Sequence, residues 1–182
     1  EGFNPRPRIV FPAALEVGIA SLDEVAEIEL IEWTQTHELM ARLLRHLPPG
    51  LTVRSVRELP ATRKGQTPLR MKYRIHLAEA GLRLAPETAA TALKAPALPY
   101  RRTRQGKDGK PRTVEADLRA YLAAAALDEA GNLDIEVAVT PQGTARPLEY
   151  LSVLTGQPLE QLKQVRVTKL ESILAPPPVP RT

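Results

Sequence analysis

Cysteine is absent from the 182 residues and histidine occurs only three times. Without a thiolate the chain makes no disulfide, no cysteine nucleophile and no zinc finger, and it ligates no iron–sulfur cluster through cysteine. That absence also fits a cytoplasmic setting. His37, His46 and His76 are dispersed, at none of the spacings that hold a metal ion. Aromatic residues are 4% of the chain, so stacking platforms for nucleobases are scarce. The Ala-rich run around Ala123 to Leu127 falls far short of the roughly 20 apolar residues a membrane helix needs, and no membrane partner is expected. Also missing are a phosphate loop, a dinucleotide-binding glycine fingerprint and a nucleophile elbow. The acids Glu27/Glu29 and Asp134/Glu136 lie two apart on expected strands, which reads as solvated faces rather than metal pairs. Acid–base cleavage of RNA by His76 with Tyr73 or Lys72 is the weakest reading, and the chain is taken as non-enzymatic.

Proline, by contrast, is plentiful at 18, and positive charge is concentrated. Residues 1–53 carry a net charge of −4, residues 54–112 carry +11 and residues 113–182 carry −3. Arginine outnumbers lysine 18 to 7, and guanidinium is the better fork for phosphate. A GC-rich genome would raise arginine usage by itself, but codon bias does not gather charge into one third of a chain.

Alternation and turn residues predict the elements. Arg8–Phe11 reads as a strand closed by Pro12, Asp23–Ile31 as a half-buried strand, and a helix runs from near Thr36 to Pro48-Pro49-Gly50. Leu51–Glu58 is a further expected strand. In the second half Met71, Tyr73, Ile75 and Leu77 alternate with Arg70, Lys72, Arg74 and His76. A short helix follows Pro86, and Leu98–Arg104 and Pro111–Glu115 flank a polar hairpin tip. Ala116–Leu127 reads as a helix, Leu133–Val139 as a strand, Pro147 and Pro158 open helices, and Val165–Leu170 closes the set as a strand. The expected fold is α+β, two tandem ferredoxin-like βαββαβ units, the first lacking its initial strand and helix. The expected boundaries are 1–64 for the incomplete unit, 65–174 for the second unit with an extra helix, and 175–182 for a disordered Pro-rich tail.

Three groups of residues invite an anion. Arg70, Lys72 and Arg74 share a strand face, while Arg101, Arg102, Arg104, Lys107, Lys110 and Arg112 line one hairpin, a pattern suited to RNA phosphates. The alternative for the strand is an ion-pair ladder with Asp134 and Glu136 across the sheet. Gly2-Phe3-Asn4-Pro5-Arg6-Pro7-Arg8 is a rigid turn whose arginines, Arg6 and Arg8, would point in a fixed direction. Thr140-Pro141-Gln142-Gly143-Thr144-Ala145-Arg146-Pro147 leads into a helix N-terminus, where Arg146 and free N–H groups favour an anion. Simple helix capping is the alternative there.

The opening Gly2–Phe11 motif, Ala14-Leu15-Glu16-Val17-Gly18, Ser21, Glu27-Ile28-Glu29-Leu30, Leu47-Pro48-Pro49-Gly50-Leu51 and Thr140–Leu151 together resemble an uncharacterised bacterial family, the radical-SAM-linked domain of unknown function. In that family a strand and an Arg-rich helix precede the Gly2-Phe3-Asn4-Pro5 turn, so an upstream segment is expected here. Val165–Leu170 departs from the family pattern by lacking a histidine–arginine pair. The resemblance implies a radical SAM partner, separate or fused, which would supply the iron–sulfur cluster and S-adenosylmethionine. As a fold-level analogy the tandem arrangement is also similar to RNA-binding repeat-processing proteins. The leading expectation is a non-catalytic RNA-binding module presenting a transfer or ribosomal RNA to that enzyme, with Arg6, Arg8 and Arg146 as a second patch. The alternative is a protein–protein adaptor that docks the enzyme through residues 23–32 or the Pro-rich tail.

Overall fold

The structure, a computed structural model, describes residues 8–59, 66–105 and 109–175, the side chains of Arg104 and Gln105 excepted. Gly2, Phe3, Asn4, Pro5, Arg6, Lys107 and the tail from residue 176 lie outside the described residues. In chain order come β1 (Ile9–Val10), β2 (Ala20–Ser21), β3 (Glu27–Ile28) and helix α1 (Thr36–His46). Then follow β4 (Pro68–Ile75), α2 (Thr88–Lys94), β5 (Pro99–Gln105), β6 (Pro111–Asp117), β7 (Leu122–Leu127) and β8 (Leu133–Ala138). Helices α3 (Pro147–Thr155) and α4 (Leu159–Leu162) and strand β9 (Val167–Leu174) complete a mixed α+β chain. No helix of the described residues is long and apolar enough to cross a membrane.

The chain divides into two compact units, one of residues up to Pro12 with Ala26–Gln66, the other of Ala13–Val25 with residues from Thr67 on. In the first, β1 and β3 pair antiparallel with Ile9 opposite Ile28, and Arg8 Nη1 reaches Glu29 Oε2 at 3.0 Å. Helix α1 begins after Gln35, carries Glu38 in its first turn and Arg45 and His46 in its last, as the helix dipole favours. Leu47-Pro48 then ends it, because the residue before proline is pushed out of the helical region. None of its residues is buried, and Leu39, Met40 and Leu43 are half-buried. The expected strand Leu51–Glu58 is irregular chain, since it finds no ladder partner among the described residues.

In the second unit one sheet has the strand order β2-β9-β4-β8-β7, antiparallel except where β2 runs parallel to β9. Met71, Tyr73 and Ile75 of β4 and Leu133, Ile135 and Val137 of β8 turn to one face. There they pack with Ala89 and Ala92 of α2 and Tyr150 and Leu151 of α3 in one buried cluster. The expected helix Ala116–Leu127 is instead the end of β6, a single 3₁₀ turn at Leu118–Tyr121 and strand β7. Alanine favours a helix locally, but pairing of Leu122–Leu127 with β8 overrides that preference. The expected strand Asp23–Ile31 is likewise broken, with residues up to Val25 in one unit and β3 in the other.

Residues 13–25 cross the second unit as a strap. Gly18, with φ of +90°, turns it so that Ile19 N donates to Glu16 O at 3.1 Å. Leu22 N then donates to Lys169 O at 2.9 Å, and Asp23 Oδ2 accepts from Ser172 N at 2.9 Å. Beneath it Lys169, 1% exposed, places Nζ 2.6 Å from Glu24 Oε1, which also accepts from Ser21 Oγ.

Candidate nucleic-acid interface

The β5–β6 ribbon carries Arg101, Arg102, Arg104 and Arg112 of the expected phosphate ligands. Its register sets Tyr100 opposite Ala116, Arg101 opposite Glu115, Arg102 opposite Val114, Thr103 opposite Thr113 and Arg104 opposite Arg112. Because alternate residues face opposite sides of a strand, residue 102 shares its side of the ribbon with Tyr100 and Val114. Arg102 is the inward anchor of the ribbon. Its Nε donates to Glu149 Oε1 at 2.7 Å, and its Nη2 donates to Glu149 Oε2 at 2.5 Å and to Thr144 O at 3.0 Å. The side chains of this fork are 12% and 4% exposed, and the bond to Glu149 holds the Arg102 pKa above its ordinary value. On the opposite side Arg101 lies 3.6 Å from Glu115, both about four-fifths exposed, a loose surface pair worth little. Lys110 and Arg112 are exposed on β6 and the chain leading to it.

The strand face of β4 is ion-paired along its length. Arg70 Nη1 reaches Glu136 Oε1 at 2.6 Å, Lys72 Nζ reaches Glu171 Oε2 at 2.7 Å, and Arg74 makes a two-pronged contact with Asp134 at 2.7 and 2.8 Å. The hydrogen bond to Glu171 raises the Lys72 pKa, and the one to Asp134 raises that of Arg74. The ladder foreseen with Asp134 and Glu136 is thus present, extended to Glu171 of β9.

The turn into α3 is also satisfied by the chain's own groups. Thr140 and Gly143 exchange backbone hydrogen bonds at 2.9 Å, with Gly143 at φ of +126°. Pro147 opens the helix, where its missing N–H costs nothing. The anion that this N-terminus attracts is Glu149, whose Oε2 accepts from Arg146 N at 2.9 Å while Arg102 grips the same carboxylate. Arg8 and Arg146 fall in different units and pair with Glu29 at 3.0 Å and Glu16 at 3.3 Å.

Two features were not read from the sequence. The Arg102–Glu149 pair joins residues 47 apart; its local sign was Glu149 three residues after Arg146, the spacing of a capping box. The second is a polar cluster on the open sheet face, where His76 Nε2 lies 2.9 Å from Thr168 Oγ1 and Arg166 Nη2 lies 3.1 Å from His76 Nδ1 and 2.6 Å from Glu79 Oε1.

A family model described as "Uncharacterized protein conserved in bacteria (DUF2344)" matches residues 1–147. No curated protein and no solved structure matches.

Proposed function

The chain belongs to the DUF2344 family of uncharacterised proteins conserved in bacteria, and we propose that it is a non-catalytic RNA-binding module whose contact surface is the β5–β6 ribbon. One observation carries this reading: the ladder sets Arg104 directly opposite Arg112, with Lys110 close behind in the chain. Cations gathered this densely along one ribbon give a salt-dependent attraction for a polyanion. The cations of β4 and Arg102 already hold internal carboxylates, so they support the scaffold rather than the contact. The order β9-β4-β8-β7, with α2 and α3 on the crossovers, supports a ferredoxin-like reading of the second unit, and the ribbon is then an insertion between α2 and β7. The tie to a radical SAM enzyme rests on the sequence resemblance. That enzyme, separate or fused, would hold the iron–sulfur cluster and S-adenosylmethionine in the cytoplasm and act on the transfer or ribosomal RNA presented to it.

The test is fluorescence anisotropy against pooled tRNA and a random single-stranded RNA across a salt series. The variant replaces Arg101, Arg104, Lys110 and Arg112 with glutamate and keeps Arg102, whose loss would leave Glu149 buried without its partner. Binding should weaken by at least tenfold, and the salt slope should fall by up to about 4. Equal binding by a folded variant sinks the ribbon as the RNA site.

The adaptor reading draws on a separate observation in the first unit, where Phe11, Ile31 and Trp33 are 58%, 102% and 73% exposed. If Ile31→Ser with Trp33→Ser abolishes enzyme pull-down while the ribbon variant leaves it intact, the adaptor takes the lead.

A further inference from the structure

A cavity of about 340 Å³ opens between the strap and the end of the second unit, in the size range of small-molecule sites. Its walls are apolar, with Ile19 from the strap, Leu148 from α3, Leu159 from α4 and Val167 from β9. Two cations, Arg146 and Lys163, line it as well, on elements fixed by the buried core. Both are 63% exposed at the side chain, so each can swing without unpacking anything. Arg146 is held across the cavity by the strap's Glu16, Nη1 to Oε1 at 3.3 Å, and Lys163 by Glu160 at 2.5 Å.

We infer that this cavity binds a small organic carboxylate with an apolar body, its head group replacing the Glu16 carboxylate on Arg146 and adding a contact to Lys163. The argument has three parts. Guanidinium in this place already binds a carboxylate, which states the chemistry it prefers. The uncharged lining side chains, Ile19, Leu148, Leu159 and Val167 among them, are apolar and reward burial of a hydrocarbon body. Finally, Glu16 stands on the strap beside the Gly18 turn with its side chain part-exposed, so its carboxylate can turn to solvent while Ile19 and β2 keep their places. Neither the cavity nor the ligand depends on RNA binding by the ribbon.

The experiment uses the full chain and the dye anilinonaphthalene sulfonate, an apolar body with one anionic group, displaced by octanoate or by octanol. Octanoate should displace the dye at a concentration at least tenfold lower than octanol, and Arg146→Gln with Lys163→Gln should erase that difference. Leu159→Trp should fill the cavity and remove dye binding, whereas Trp33→Ser, in the first unit, should not. Equal displacement by octanoate and octanol overturns the carboxylate assignment. Dye binding lost in Trp33→Ser and kept in Leu159→Trp overturns the site. If Leu159→Trp does not fold, the double glutamine variant still decides, because its side chains are exposed and circular dichroism will show an intact fold.

Discussion

Lys169 is 1% exposed and its ammonium lies 2.6 Å from Glu24, so a charge has been taken out of water against a counter-charge that still reaches the surface. Breaking such a pair from one side strands the other ion, at about 3 kcal/mol or more. Glu24→Gln should therefore lower the denaturant midpoint by that amount, whereas Lys169→Met, which removes the charge and keeps the stem, should cost clearly less. Tyr73 and Tyr150 lie in the same core and give a pH signature. Burial first, then Glu16 and Glu24, push the Tyr73 pKa up to about 12 from 10.0, and burial likewise raises that of Tyr150. A folded-state pKa above the unfolded value gives stability that is complete below pH 10 and is lost as pH climbs toward 12. Stability should fall by about 1.4 kcal/mol per pH unit for each tyrosine in that window. Paired circular-dichroism and tyrosinate-absorbance titrations would check it; tyrosinate forming well before the fold is lost contradicts the burial argument. Tyr73 was legible from the alternation of its strand, but Lys169 did not stand out, because a lysine on a strand gives no sign that it points inward.

Strand β4 shows how a basic face is neutralised within an element. Its carboxylate partners come from β8 and β9, and all three pairs are part-exposed. Each is worth at most about 1 kcal/mol. Lys72→Ala should change stability by less than that and leave RNA affinity within twofold, measured by melting and by the same anisotropy titration. A tenfold loss of RNA affinity would return the strand face to the interface. The alternation that made β4 legible is a local property, and so are the hairpin β5–β6 and the helices opening at Pro147 and near Thr36. β7 was not legible, because Leu122-Ala123-Ala124-Ala125-Ala126-Leu127 has the composition of a helix and becomes a strand through its neighbours. Small side chains suit that place, since the Ala-rich α2, with Ala89 and Ala92 buried, packs against the same core. The Arg102–Glu149 fork was invisible for a related reason: arginine in a basic hairpin looks like its neighbours until the register turns it inward.

Across the whole molecule, burial is uneven. Among the described residues of the first unit Gln66 alone is buried, while the second holds the entire buried apolar cluster. Local opening free energy follows buried contact, so amide exchange should be slowest in β4 and β8 and should approach the free-chain rate in β1, β3 and α1. Mass-spectrometric hydrogen exchange reads this directly; equal protection of α1 and β4 would mean that the first unit is stabilised by contacts other than its own buried ones. The interleaving of the two units, with residues 13–25 serving the later one, has a consequence for synthesis. Asp23 leaves the ribosome 149 residues before its partner Ser172. At bacterial elongation rates of 5–20 residues per second that is a wait of roughly 7 to 30 seconds. Through that interval the strap has no strand to lie against, so the second unit is completed only when its last strand closes on one of its first.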